Sequence, residues 1–122
     1  MALTTSVTDD RFSDILILES GLGNTAVADL AGKAASIYSI DINNPSGGLA
    51  HVKFYDSTSG DASDIPVIIL MVVAGDRRVF TMPDGIAFTN AITMRCVVEP
   101  GTGGTTSPSG GSGTVAVSLV MS

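Results

Sequence analysis

The run Ala35-Ser-Ile-Tyr-Ser-Ile-Asp-Ile-Asn-Asn-Pro-Ser-Gly-Gly-Leu-Ala-His-Val-Lys-Phe-Tyr-Asp56 decides the fold class. Tyr38, Ile40 and Ile42 alternate with Ser39 and Asp41, the two-residue period of a strand with one buried face. Residues 43–48 concentrate Asn, Pro, Ser and Gly, the composition of a turn. Beyond the turn, Ala50, Val52 and Phe54 face one way while His51, Lys53 and Tyr55 face the other.

The same grammar continues on both sides. Residues 14–19 form a short apolar run closed by Ser20-Gly21. Residues 56–64 are a polar loop, and residues 66–73 are continuously apolar, which predicts a strand covered on both faces. A turn at 74–76 leads to a strand at 77–82 that sets Arg78, Phe80 and Met82 against Arg77, Val79 and Thr81. Pro83-Asp-Gly85 reads as another turn. Ile92, Met94, Cys96 and Val98 then alternate with Thr93, Arg95 and Val97. Residues 101–113 are a Gly/Ser/Thr loop, expected to be mobile. In the closing segment Val115, Val117, Leu119 and Met121 point inward. The pattern predicts an all-β protein: an antiparallel β-sandwich, jelly-roll-like, of about seven to eight strands. Residues 15–122 form one domain, preceded by a flexible N-terminal arm at 1–14. Residues 23–33 read equally as a short helix or as an extended segment.

Composition narrows the function classes. A chain of 122 residues suggests one domain. Its core must be aliphatic, because hydrophobic residues make up 44% but aromatics only 5%, with no Trp. Charged residues are 15%, against about 25% in an ordinary soluble domain. Mean hydropathy is +0.41. So apolar a small chain is expected to bury further surface against copies of itself or a larger partner. A net charge of −6 argues against nucleic acid and against an anionic membrane as partner. The longest apolar run, residues 65–74, is half the length a membrane-spanning helix needs. The N-terminus lacks the basic and apolar regions of a signal peptide. The single Cys96 excludes an internal disulfide and fits a reducing site of synthesis.

Several motifs invite chemistry. Gly21-Leu-Gly-Asn-Thr-Ala26, with Asp41 twenty residues after Gly21, matches the dinucleotide fingerprint, in which glycines admit a pyrophosphate and an acid holds the ribose. Residues 35–122 lack the strand–helix alternation of such a fold, which favours a plain glycine turn. The loop with Asp56, Asp61 and Asp64 has the oxygen-rich composition calcium takes, but glycine sits at its fifth position, where an EF-hand loop needs it at the sixth. His51 and Cys96 could form a nucleophilic pair. Cys96 instead lies in phase with Ile92, Met94 and Val98, the position of a buried inert thiol. No catalytic, cofactor-binding or metal residue is assigned, and no cofactor is expected. Arg77 and Arg78 are the one basic cluster. They read either as solvated charges on an edge strand or as an inter-subunit ion pair, and they are the candidate interface residues.

Ile37-Tyr-Ser-Ile-Asp-Ile-Asn-Asn44, His51-Val-Lys-Phe-Tyr-Asp56, Met82-Pro-Asp-Gly-Ile-Ala-Phe-Thr-Asn90 and Thr114-Val-Ala-Val-Ser-Leu-Val120 resemble small virion proteins of tailed phages, especially cyanophages. The likeness spans residues 35–121, and none of its segments is a catalytic motif. It implies a jelly-roll-like structural protein of the particle, a capsid decoration (cement) protein on the virion surface, made in the host cytoplasm. It also implies a homotrimer with the major capsid protein as partner. A different class, a host-glycan binding module on a tail or fibre, wants exposed aromatic platforms, and the chain offers only Tyr38 and Tyr55 as tyrosines.

Overall fold

The computed structural model describes residues 3–7 and 15–122. Eight strands lie among them: β1 (Leu3–Val7), β2 (Ile15–Leu22), β3 (Ala35–Asn43), β4 (Ala50–Tyr55), β5 (Ile68–Val72), β6 (Arg77–Phe88), β7 (Thr93–Val97) and β8 (Val115–Met121). They form two antiparallel sheets, a large one ordered β1-β2-β8-β3-β6 and a small one ordered β5-β4-β7. The described residues contain no helix. The fold is the all-β sandwich that the alternation predicts. Within the segment read as an arm, Leu3–Val7 pairs with β2 as an edge strand, and the rest of that segment lies outside the described residues.

Side-chain alternation places the core. Val115, Val117, Leu119 and Met121 of β8 point inward, as do Ile15 and Ile17 of β2. They meet Val52 and Phe54 of β4 and Met94 and Cys96 of β7 in one aliphatic layer. On β3 the inward residues are Ile37, Ile40 and Ile42, not the Tyr38, Ile40 and Ile42 that a strict two-residue period requires. The cause is a register break between Ile37 and Ser39, which moves Tyr38 out of phase. The same irregularity accounts for Pro83-Asp-Gly85. These residues do not end a strand, because β6 runs on through Phe88, its pairing jumping from Thr81 opposite Ser39 to Ile86 opposite Ile37. Gly85 has φ +75°, and the Tyr38 ring occupies the place where a Cβ there would stand.

Residues 23–33 form no helix: they are extended only about Val27, with a turn at 29–32 that Gly32 N–H closes onto Asp29 O. Val27 and Met94 exchange both backbone hydrogen bonds, at 2.8 and 3.1 Å. Leu30 N–H donates to Ile92 O and Cys96 N–H to Gly23 O. The segment thus covers the outer edge of β7 and closes that flank of the sandwich.

Two expectations fail here. The loop at 101–113 is fastened along its length: Asn24 donates to Ser107 Oγ and Thr105 O, Gly47 N–H to Ser109 O, Ser112 N–H to Pro45 O, and Thr106 N–H to the Glu99 carboxylate. Glycine here supplies left-handed backbone and close approach; Gly111 (φ +64°) lies directly against Pro45 and Ser46. The apolar run at 66–73 is covered on one face only. Ile68, Leu70 and Val72 turn toward the core, while Val67, Ile69, Met71 and Val73 are exposed.

Ile40 is wholly buried on β3, which pairs with both β6 and β8. Ile40→Ala is expected to lower the unfolding free energy by about 2–5 kcal/mol, read from a denaturant titration.

Candidate functional site

The outward face of the small sheet is polar by sequence, yet it is buried. His51, Lys53 and Tyr55 of β4 lie opposite Val97, Arg95 and Thr93 of β7. All six are closed off from solvent by two loops. From one side, residues 98–106 fold over the face. Lys53 Nζ donates to Gly103 O and Arg95 Nη1 to Gly104 O, while Val98 O lies 3.1 Å from His51 Nδ1. From the other side, Gly60 sits against the Tyr55 ring so closely that a Cβ there would collide with it, and Thr93 Oγ1 donates to Ser57 O. Arg95 Nε donates to the Tyr55 hydroxyl at 2.8 Å, with the guanidinium carbon 5.9 Å from the ring centroid.

Lys53 and Arg95 are therefore directly opposed like charges, capped by glycine carbonyls instead of carboxylates. Arg95 Nη2 is buried with no hydrogen-bond partner among the described residues. Burial, then repulsion from Arg95, holds the Lys53 ammonium pKa below the ordinary lysine value, with Glu99 opposing the shift. The sequence gives part of this cluster away, since Lys53 and Tyr55 share a phase with His51. Nothing in it reveals that a glycine-rich loop would fold back to bury them.

A second feature is the flank opposite residues 23–33. The edge strands of the two sheets on this side, β5 and β6, are joined by the tight turn at 73–76. The inward side chains here, Ile68, Leu70, Phe80, Met82 and Ile86, are only half-buried against the core. Val67, Ile69, Met71 and Val73 add an exposed aliphatic stripe. Among the described residues, the core is thus left open along this side.

The residues singled out from sequence fall as follows. Arg77 makes a bidentate ion pair with Asp41 of its own chain, Nε to Oδ1 at 3.0 Å and Nη2 to Oδ2 at 2.6 Å, with its side chain 65% exposed. That hydrogen-bonded pairing holds the Asp41 carboxyl below its ordinary pKa. Arg78 is exposed opposite Ile42, on the open flank. The fingerprint reading of Gly21–Ala26 fails, because Gly21 lies within β2, no helix follows, and Asp41 is engaged by Arg77. Asp56 does not face Asp61 and Asp64. Its carboxylate accepts N–H groups from Thr89, Asn90 and Ala91 and so fastens the β6–β7 turn, which lowers its pKa. Asp61 closes a local turn with Ser63. His51 and Cys96 lie on opposite faces of the small sheet, and burial pushes the Cys96 thiol up to about 12. Among the described residues every aromatic ring is buried or half-buried, and no cavity of ligand size is present.

No protein-family model matches the chain, and no curated protein or solved structure matches it.

Two pH experiments follow from these shifts. Because the folded state lowers the Lys53 pKa, its charging penalty is full below the folded pKa and is relieved as pH rises toward the unfolded value of about 10.4. Lys53→Met removes the charge, so its Tm relative to the parent is expected to fall as pH rises into the alkaline range. The Asp56 shift has the opposite sense. The stability it confers is present above the unfolded pKa and is lost as pH falls through the folded one. Asp56→Ala is expected to lower Tm at neutral pH and to narrow that difference in acid, by thermal melts from pH 2 to 7 (roughly, the carboxylate range).

Proposed function

We propose that this chain is a non-enzymatic structural protein of a tailed-phage particle, most specifically a capsid decoration protein that binds the major capsid protein and stabilises the assembled shell as an oligomer. The observation that carries the reading is the flank where the core stays open between β5 and β6. Half-buried core residues and an adjoining exposed aliphatic stripe gain stability only by covering against another protein surface. Few charges must be desolvated for that surface to bind.

The strand order supports the finer, jelly-roll form of this reading. Counting the Val27 bridge as a short strand gives two four-membered layers: β2-β8-β3-β6, with β1 added outside, and Val27-β7-β4-β5. From β2 onward the chain changes layer at every connection except the β4–β5 hairpin. That is the winding of a double Greek key. The likeness of residues 35–121 to cyanophage virion proteins points the same way.

A decoration protein acts by binding the assembled state and not its parts, so occupancy shifts the assembly equilibrium toward the shell. Repeated engagement over one particle multiplies a weak single contact. Quantitative mass spectrometry of purified particles tests the proposal. Copy numbers in the order of hundreds per particle are expected for a surface lattice, whereas about six or twelve would place the protein at a tail or portal vertex and overturn the shell assignment.

A further inference from the structure

Among the described residues, three strands end a sheet with no strand beside them: β1, β5 and β6. A bare edge is a template for a further strand, and proteins blunt it with charge, proline or irregular register. β6 carries all three, in Arg77, Arg78 and Asp84, in Pro83, and in the pairing break between Thr81 and Ile86. β1 is polar at its centre, with Thr4, Thr5 and Ser6. β5 reads Ile-Ile-Leu-Met-Val, with no charge, no proline and no polar side chain.

We propose that β5 pairs edge to edge with β5 of a second copy of this chain, antiparallel, about a two-fold axis at Leu70. Of the edges a second copy offers among the described residues, β5 is the one without charge, proline or a polar side chain to oppose the pairing. Identical edges pair isologously, which fixes a two-fold contact.

Hydrogen-bond alternation sets the register. Met94 and Cys96 direct their N–H groups away from β4, to Val27 and Gly23, so β7 bonds β4 through Thr93, Arg95 and Val97. β4 then bonds β5 through Ala50, Val52 and Phe54, which leaves the peptide groups of Ile69 and Met71 directed outward. Across the two-fold, Ile69 faces Met71 of the second copy and the reverse, exchanging four N–H···O=C bonds. Leu70 faces Leu70.

The edge also carries aliphatic surface that cross-strand neighbours would partly cover. Ile65, Val67, Ile69, Met71 and Val73 are 81%, 52%, 36%, 46% and 47% exposed. Together they present about 500 Å² on each copy, over half of the ~800 Å² per partner of a standard stable interface. The half-buried Leu70 and Phe80 beside them add to it. The two small sheets become one continuous sheet of six strands, and the open flanks of the two copies close on each other.

This contact holds for the isolated chain whether or not the chain sits on a particle, so it stands or falls separately from the shell reading. Sedimentation of the full chain tests it. The expected mass is twice the 12.4 kDa of one chain. Ile69→Lys and Met71→Lys are expected to weaken self-association at least about tenfold while far-ultraviolet circular dichroism keeps its strand signal. Leu70→Cys provides a second readout. A facing, non-hydrogen-bonded antiparallel pair sets Cα atoms about 4.5 Å apart, within disulfide reach. Mild oxidation should therefore link Leu70→Cys into a covalent dimer, whereas Val79→Cys on the exposed face of β6 should stay unlinked. A chain that remains monomeric, an oligomer indifferent to the lysine substitutions, or a Leu70→Cys variant that fails to link overturns the proposal.

Discussion

One aliphatic layer has to be shared by two sheets of unequal width, five strands against three. Burial of that layer is the dominant favourable term for a chain with so few aromatics. A narrow sheet cannot cover a wide one by itself, and the rest of the molecule answers that mismatch. On one side, residues 23–33 give up regular secondary structure to lie along β7, contributing Val27 and Leu30 to the core while satisfying the β7 edge. On the other side nothing comparable is present among the described residues, and β5 and β6 stand with their inward residues half-covered. The asymmetry between a closed and an open flank follows from where the chain has spare length.

The outer face of the narrow sheet shows a second use of loop. Lys53 and Arg95 face each other across β4 and β7, an arrangement that is unfavourable on any exposed sheet. The fold tolerates it because Gly103 and Gly104 bring their carbonyl groups down onto the two cations, and the Tyr55 ring and hydroxyl hold the guanidinium. Glycine matters at this point for its missing side chain. At Gly104, φ +100° and the nearby Glu99 side chain leave no room for a Cβ. Removing charge from this face should therefore cost little in stability, whereas crowding its glycines should cost more.

Alternation carried most of the fold into the sequence. It fixed the inward residues of β8, β4 and β7, because each of those strands keeps an unbroken two-residue period. It misplaced Tyr38, because a one-residue slip reverses every face beyond it and no local signal marks the slip. Continuous hydrophobicity at 66–73 was a poorer guide. It reports that a strand avoids water on both faces, and the structure shows one of those faces uncovered within a single chain. The glycine-rich run at 101–113 has the composition of a flexible linker. What orders it are partners far away in the sequence, Asn24, Pro45, Gly47, Lys53 and Arg95, which no local reading connects to it. The two arginines chosen as interface residues were chosen for charge. In the structure Arg77 is engaged by Asp41 of its own chain, and Arg78 is exposed on the flank that also carries the uncharged stripe.

The position of β8 has a bearing on how the protein is made. β8 lies between β2 and β3, in the middle of the large sheet, although it follows all the other described strands in sequence. Until residues 115–121 have left the ribosome, β2 and β3 each lack their central neighbour, and the aliphatic faces of both are bare. Joining β8 to β2 brings Ile15 opposite Met121, a pairing between distant parts of the chain, and such non-local pairing is the slow kind of contact to form.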